Sequence, residues 1–307
     1  MLAIYWLWRL GSWCAGHAPL AVSRALARMV GQLGYWLLPS LRRNSMANYA
    51  QVLGKPPTNS EVRRVTQQAF RNFALYLLDV MRFPYISDAE LARRVVLHER
   101  DEFRRALDER KGVIFVSAHF GNMELAGVQL AKQFAPITLA AEVLKARRLY
   151  DWLVANRARH NVRLVPYKQA ARTIISALRD NEFVGFFLDL GIAYDHRGVP
   201  VNFFGKTAYF PAAPALLAHH TGAPIIQAFA LIGDDGLIHA HSFPAIRQNK
   251  ALNRDTFVQT VTQQFATNME EFIAKHPEQW YIFRRIWPEQ PLPVAAHESY
   301  SLPAQAG

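Results

Sequence analysis

Between residues 112 and 242 the chain carries short strand-like runs, continuous and apolar at 112–118, most of them separated by stretches with helical periodicity. The runs are 112–118, 136–141, 162–165, 183–188, 224–232 and 237–242, and helical stretches fall at 123–133, 145–159, 169–179, 212–221 and 255–275. A strand that is apolar at every position has no face to give to water and must be covered on both sides. Strands alternating with helices supply that cover, so the pattern predicts an α/β fold with a mostly parallel central sheet flanked by helices. Ahead of the sheet, 44–54 reads as a short helix closed by Gly54. Val62, Val65, Ala69, Phe70, Phe73, Leu77, Val80 and Met81 then make one helical stripe that begins near Glu61 and stops by Pro84, and 88–94 and 102–110 read as further helices. The uncharged stretch 207–233 carries Pro211, Pro214 and Pro224 and reads as a loop, a buried helix and a buried strand.

With 307 residues, 51% hydrophobic and 19% charged, the chain can build a large core, which excludes a disordered, collagen-like or coiled-coil protein. The single cysteine, Cys14, excludes a disulfide framework and a cysteine-based zinc cluster. The net charge of +11 is unevenly spread. Residues 1–60 hold Arg9, Arg24, Arg28, Arg42, Arg43 and Lys55 and no acid, the first carboxylate being Glu61. Tyr5, Trp6, Trp8, Trp13, Tyr35 and Trp36 accompany those cations, and rings of this kind lie at a headgroup boundary while the cations favour anionic lipid. The longest stretch free of charge there, 10–23, is too short to span a bilayer, and the leading residues lack the basic start of a cleavable signal. The expectation is an N-terminal membrane-anchoring helical segment at 1–40, an α/β domain at 41–290 and a loose tail at 291–307. The anchor is read as peripheral or monotopic, or as a single N-terminal helix; an ordinary buried helical pair is the other reading of 1–40.

The sharpest chemical constellation is Ser117-Ala118-His119-Phe120-Gly121-Asn122-Met123-Glu124, where a buried strand hands over to a helix. Open parallel sheets bind ligands at the carboxyl ends of their strands, which places His119 where a catalytic group belongs. If Gly121 makes a turn, Glu124 can come back from the first helical turn and accept the imidazole Nδ1 proton, leaving Nε2 as a base. The other reading is that Glu124 favours the positive end of its helix and His119 fills a loop. Asp189, at the end of the run 183–188, is either an orienting carboxylate for a nearby arginine or a solvated turn residue. Gly205-Lys206-Thr207 ends like a phosphate-binding loop, but Pro200 occupies the required first glycine position, and His219-His220 lacks metal-ligand spacing. The expectation is therefore no metal and no cofactor.

His119 to Glu124 resembles the HxxxxD/E pattern of glycerolipid-type acyltransferases, and His119-Phe120-Gly121-Asn122-Met123-Glu124 is similar to the HxGNxE version of the bacterial lipid A biosynthesis lauroyl/myristoyl acyltransferase family. Mycobacterial phosphatidylinositol mannoside acyltransferases are similar at the same residues. The resemblance continues through Asp189, the block Arg197-Gly198-Val199-Pro200-Val201-Asn202-Phe203-Phe204-Gly205, the segments 207–215 and 221–223, and Pro277-Glu278-Gln279-Trp280 with Arg284-Arg285, covering about residues 32–288 in collinear order. It implies a glycerolipid-acyltransferase-like fold and an O-acyltransferase with His119, Glu124 and Arg159 catalytic. An important arginine falls at Arg157 or Arg159, and Arg159 is assigned to the oxyanion. Asn122, Arg157, Asp189, Phe203, Phe204 and Gly205 are assigned to substrate binding, although Phe203 and Phe204 also suit a buried strand pair.

Moving a fatty acyl group from a thioester to a hydroxyl needs a base and a donor for the tetrahedral oxyanion. The expected cosubstrate is an acyl-carrier-protein or coenzyme A thioester, and the expected acceptor a glycolipid, first a lipid A precursor in lipopolysaccharide biosynthesis. Another lipid acceptor, such as a phosphatidylinositol mannoside, an ornithine lipid or a lysophospholipid, is the alternative. The run from Lys145 to Arg172 holds eight basic residues (Lys145, Arg147, Arg148, Arg157, Arg159, Arg163, Lys168, Arg172) against Asp151 alone, and suits acceptor phosphates or an acidic carrier. The expected place of work is the cytoplasmic face of a bacterial inner membrane, with an anionic membrane surface as partner. Two other classes stay open: a non-enzymatic membrane-binding module, which leaves His119 and Glu124 idle, and a nucleic-acid binder, suggested by the basic charge but lacking any recognition motif.

Overall fold

The computed structural model describes residues 2–189 and 198–287. Arg197, the stretch after Asp189, the Lys168 side chain and the expected tail at 291–307 lie outside the described residues. The chain runs α1 (Leu2–His17), α2 (Leu20–Leu37), α3 (Pro39–Leu53), α4 (Ser60–Arg82), α5 (Asp88–Arg94), β1 (Val95–Leu97), α6 (Arg100–Asp108), β2 (Val113–Ser117), α7 (Met123–Gln133), β3 (Ile137–Ala141), α8 (Arg147–Ala158), β4 (Val162–Pro166), α9 (Ala170–Arg179), β5 (Phe183–Phe187), β6 (Val199–Phe203), β7 (Lys206–Phe210), α10 (Ala213–Thr221), β8 (Ile225–Ile232), β9 (Ile238–Ser242) and α11 (Arg254–Lys275).

Seven strands form one sheet in the order β1-β9-β8-β2-β5-β3-β4. From β8 through β4 all neighbours are parallel, and the chain reverses only at β9, which runs antiparallel to β8 and parallel to β1. The central strand β2 is buried along its whole length. Ile114, Val116 and Ala118 enter the core shared with α10 and α11, whereas Val113 and Phe115 enter the core beneath α7. Side chains alternate between faces of a strand, so one continuous apolar run serves two cores.

The expected α/β fold and its mostly parallel sheet are present, with three strands, β1, β6 and β7, beyond the runs read from sequence. β1 has three residues, too few to show a period. Residues 206–210, read from sequence as part of a loop, form β7, which pairs antiparallel with β6 in a separate hairpin. Phe204 and Gly205 make its two-residue turn at φ +49° and +75°, the left-handed pair that matches the twist of a hairpin.

α1 and α2 pack on α4. Ser12 Oγ donates to Met81 O at 2.6 Å and Arg82 donates to Ala15 O at 2.6 Å. Gly31 lets α2 lie backbone to backbone on α4, because a Cβ there would come within 2.5 Å of Phe70 O. Trp8 meets Trp152 of α8 edge to face at 6.2 Å. The outer surface of this pair stays apolar: fifteen of the nineteen exposed large apolar side chains among the described residues lie between Leu2 and Leu41, so the chain has one greasy face. Among the described residues no helix is long and apolar enough to cross a membrane.

Candidate active site

β2 and β5 are parallel neighbours with Ser117 opposite Phe187. Two residues further along each strand that register brings His119 beside Asp189 at the carboxyl edge of the sheet. His119 Nδ1 lies 2.9 Å from Asp189 Oδ1, and the His119 backbone N–H donates to Asp189 Oδ2 at 2.9 Å. Trp280 Nε1 donates to the same Oδ2 at 2.9 Å, so the carboxylate accepts three hydrogen bonds while its side chain is fully buried. Because the carboxylate can only accept, it fixes the Nδ1–H tautomer. The ring stacks on Phe187 at 4.4 Å, and the His119 side chain remains 43% exposed. Among the described residues Nε2 makes no hydrogen bond.

Electrostatics match that arrangement. Burial works against the His119 cation, but the attraction of Asp189 and its hydrogen bond outweigh burial and raise the imidazole pKa, with Arg284 pulling the other way. Burial pushes the Asp189 carboxyl up, yet the His119 charge and the bonds from His119 and Trp280 hold it below the usual carboxylate value.

The turn after His119 has little freedom. Gly121 lies at φ +57°, and a Cβ there would be 1.6 Å from Ala230 O. Its N–H donates to Gln279 O at 2.8 Å, Asn122 N–H to Ala230 O at 3.0 Å, and Tyr281 N–H to His119 O at 2.7 Å. Asn122 caps α7, accepting from Leu125 N–H at 3.1 Å while its Nδ2 donates to Asp79 Oδ2 at 2.6 Å.

Three expectations are corrected by this geometry. Glu124 is not the partner of His119. Its carboxylate takes a bidentate pair from Arg157, Nε to Oε1 at 2.6 Å and a terminal nitrogen to Oε2 at 2.7 Å, with Tyr76 OH donating at 3.3 Å. The five-residue step turns Glu124 away, and the carboxylate that reaches Nδ1 comes from the neighbouring strand. Asp189 accordingly orients the imidazole and no arginine. Arg159 is also displaced: Leu149, Tyr150 and Asn156 mark the buried stripe of α8, and Arg157 lies on it. Arg159 is rotated about 200° from Arg157, is exposed, and makes no side-chain hydrogen bond or ion pair among the described residues. Third, Asn122 and Phe203 are 1% and 0% exposed and offer no surface to a substrate. Phe203 stacks on Trp287, and the Phe204 backbone is taken up by Gln51 and Glu270, so Phe203, Phe204 and Gly205 build the hairpin.

Sequence reasoning missed Trp280 as a support of Asp189, Tyr76 as a partner of Glu124, and Arg284 as the cation felt at His119. The block 277–285 was visible as a unit, but nothing in its spacing said that it folds against residues 119–121.

Residues 1–289 match the family model described as bacterial lipid A biosynthesis acyltransferase. The chain is 27% identical over 244 residues to a phosphatidylinositol mannoside acyltransferase of Mycolicibacterium smegmatis, covering 78% of this chain and 77% of the relative. It is 28% identical over 246 residues to a phosphatidylinositol mannoside acyltransferase of Mycobacterium tuberculosis, covering 78% and 75%.

Proposed function

From the premise that this acyltransferase belongs to the bacterial lipid A biosynthesis acyltransferase family, we propose that it moves a fatty acyl chain from a thioester directly to a hydroxyl of a membrane glycolipid. The observation that carries the mechanism is a half-exposed imidazole, fixed by a buried carboxylate through Nδ1, at the carboxyl edge of a parallel sheet. His119 Nε2 takes the acceptor hydroxyl proton as the oxygen attacks the acyl carbonyl. Asp189 holds the tautomer and stabilises the imidazolium. The C–S bond then breaks, and Nε2 returns its proton to the departing thiolate. Arg284, whose charge is felt at His119 and whose guanidinium lies 3.4 Å from Glu142, replaces Arg159 as the cation proposed for the oxyanion. The Glu124–Arg157 pair keeps the first turn of α7 in position.

The names of the two mycobacterial relatives favour a phosphatidylinositol mannoside-like acceptor over the lipid A precursor expected first. The greasy face of α1 and α2, in a stretch that also carries Arg9, Arg28, Arg42 and Arg43, supports work at an anionic membrane surface, the cytoplasmic face of a bacterial inner membrane. The donor is coenzyme A or acyl carrier protein.

Purified enzyme given either thioester, with phosphatidylinositol mannoside or lipid A precursor in mixed micelles, is expected to yield acylated mannoside by mass spectrometry. Acylation of the lipid A precursor alone would return the acceptor to the first expectation. No acylated glycolipid with either donor would overturn the function.

A further inference from the structure

Asp79 is a buried carboxylate on the last turn of α4, and the mechanism above does not use it. One of its oxygens, Oδ2, accepts from Asn122 Nδ2 at 2.6 Å and from Arg94 at 2.8 Å. Asn122 follows the turn carrying His119, and its own Oδ1 is committed to the Leu125 N–H. The amide therefore has one orientation: oxygen toward α7, nitrogen toward Asp79. On the other side, Arg94 and Arg82 share Glu90, with N···O separations of 3.6 and 3.4 Å, and Arg82 donates to Ala15 O near the end of α1. Tyr76, one turn before Asp79 on α4, reaches Glu124 in the first turn of α7. One helix thus carries α1 and α2 on one side and two contacts to the start of α7 on the other.

We propose that Asp79 is a positioning residue for acyl transfer: through Asn122 it sets the turn that presents His119, and through Arg94, Glu90 and Arg82 it ties that turn to the end of α1. This rests on His119 being the base of the proposed reaction. The geometry of the turn matters because a reacting group displaced by about 1 Å can cost on the order of 10²-fold in rate.

Asn122→Asp separates this role from simple capping. Aspartate caps a helix as well as asparagine does, so an Asn122 that served only α7 would tolerate the change. With Asp79 in place the substitution sets two carboxylates against each other, and the turn must move or take up a proton. Adding Asp79→Asn restores an amide–carboxylate pair between residues 79 and 122, at the cost of the Oδ2 acceptor that Arg94 shares. The assay uses the full chain with long-chain acyl-coenzyme A or acyl-carrier-protein thioester and phosphatidylinositol mannoside in mixed micelles. The expected result for Asn122→Asp is a kcat loss of about 10-fold or more with KM changed less than about 3-fold, and recovery of part of the loss in the double variant. The ¹⁵N resonances of the His119 ring, assigned by their loss in His119→Ala, are expected to shift in the single variant and return in the double. Unchanged kcat and ring signals in Asn122→Asp, or a double variant no better than the single, would overturn the proposal. A wild-type enzyme without turnover would count against the proposed function, while the ring signals still decide the role of Asp79.

Discussion

Asp189 holds three hydrogen-bond donors inside the protein while the ring it orients reaches solvent, and both partners' protonation follows from that asymmetry. His119→Ala is expected to lower acyl transfer by about 10²- to 10⁴-fold, the usual span for a general base, with vesicle binding unchanged in flotation. Asp189→Asn removes the group that raises the imidazole pKa. Since the base must be neutral to act, the acidic limb of the kcat profile is expected to move to lower pH even as the maximum falls. An acidic limb that stays in place would mean that Asp189 does not govern the ring. The same pair acts on stability. The raised His119 contributes below the unfolded histidine value of about 6.5 and loses its contribution as pH rises through its folded value. The depressed Asp189 contributes above about 3.9 and loses its contribution as pH falls through its own. These are one interaction seen from each partner, so the wild-type advantage over Asp189→Asn in thermal melts is expected to be largest between about pH 4 and 6.5. Both residues could be read from the sequence as strand-end candidates. Their pairing could not, because it depends on β5 lying beside β2 although β3 and β4 intervene in the chain.

Helices and turns decide which polar side chains reach the site. At the end of α8 a step of two positions takes the chain from an arginine facing Glu124 to one facing water, and a basic run in the sequence does not carry that phase. Arg157→Ala leaves the Glu124 carboxylate buried without its cation, an arrangement that costs about 3–5 kcal/mol, whereas Arg159→Ala on the exposed surface is expected to change stability by less than about 0.5 kcal/mol. Chemical denaturation of the two variants checks the contrast, and equal losses would contradict the assignment. Gly121→Ala is expected to cost more than about 2 kcal/mol, because it meets both a left-handed backbone and the Ala230 carbonyl. Most elements were legible within a residue or two, since buried parallel strands and amphipathic helices carry strong periods. The β6–β7 hairpin was not, because its turn is Phe204-Gly205 where Asn-Gly would have signalled one.

At the scale of the whole molecule, the apolar face of α1 and α2 lies outside a well-filled α/β body. The sequence showed this region as basic and aromatic, and the structure adds that its helices pack on α4 and leave the apolar side outward. Trp6, Leu10 and Trp13 are 57%, 60% and 56% exposed. Replacing all three by serine is expected to reduce the fraction of protein floating with anionic vesicles by about 10-fold or more. High salt alone should weaken flotation only partly, since screening acts on the arginines and leaves the apolar contact. Unaltered flotation of the triple variant would place the docking surface elsewhere.

The His119–Asp189 contact belongs to strand register, whereas the groups that hold the turn and the start of α7 beside it come from α4, α8 and the segment after α11, which are distant from one another in the chain. The proton-handling pair is therefore open to detuning from stretches far away in the chain, as through Trp280, which donates to Asp189.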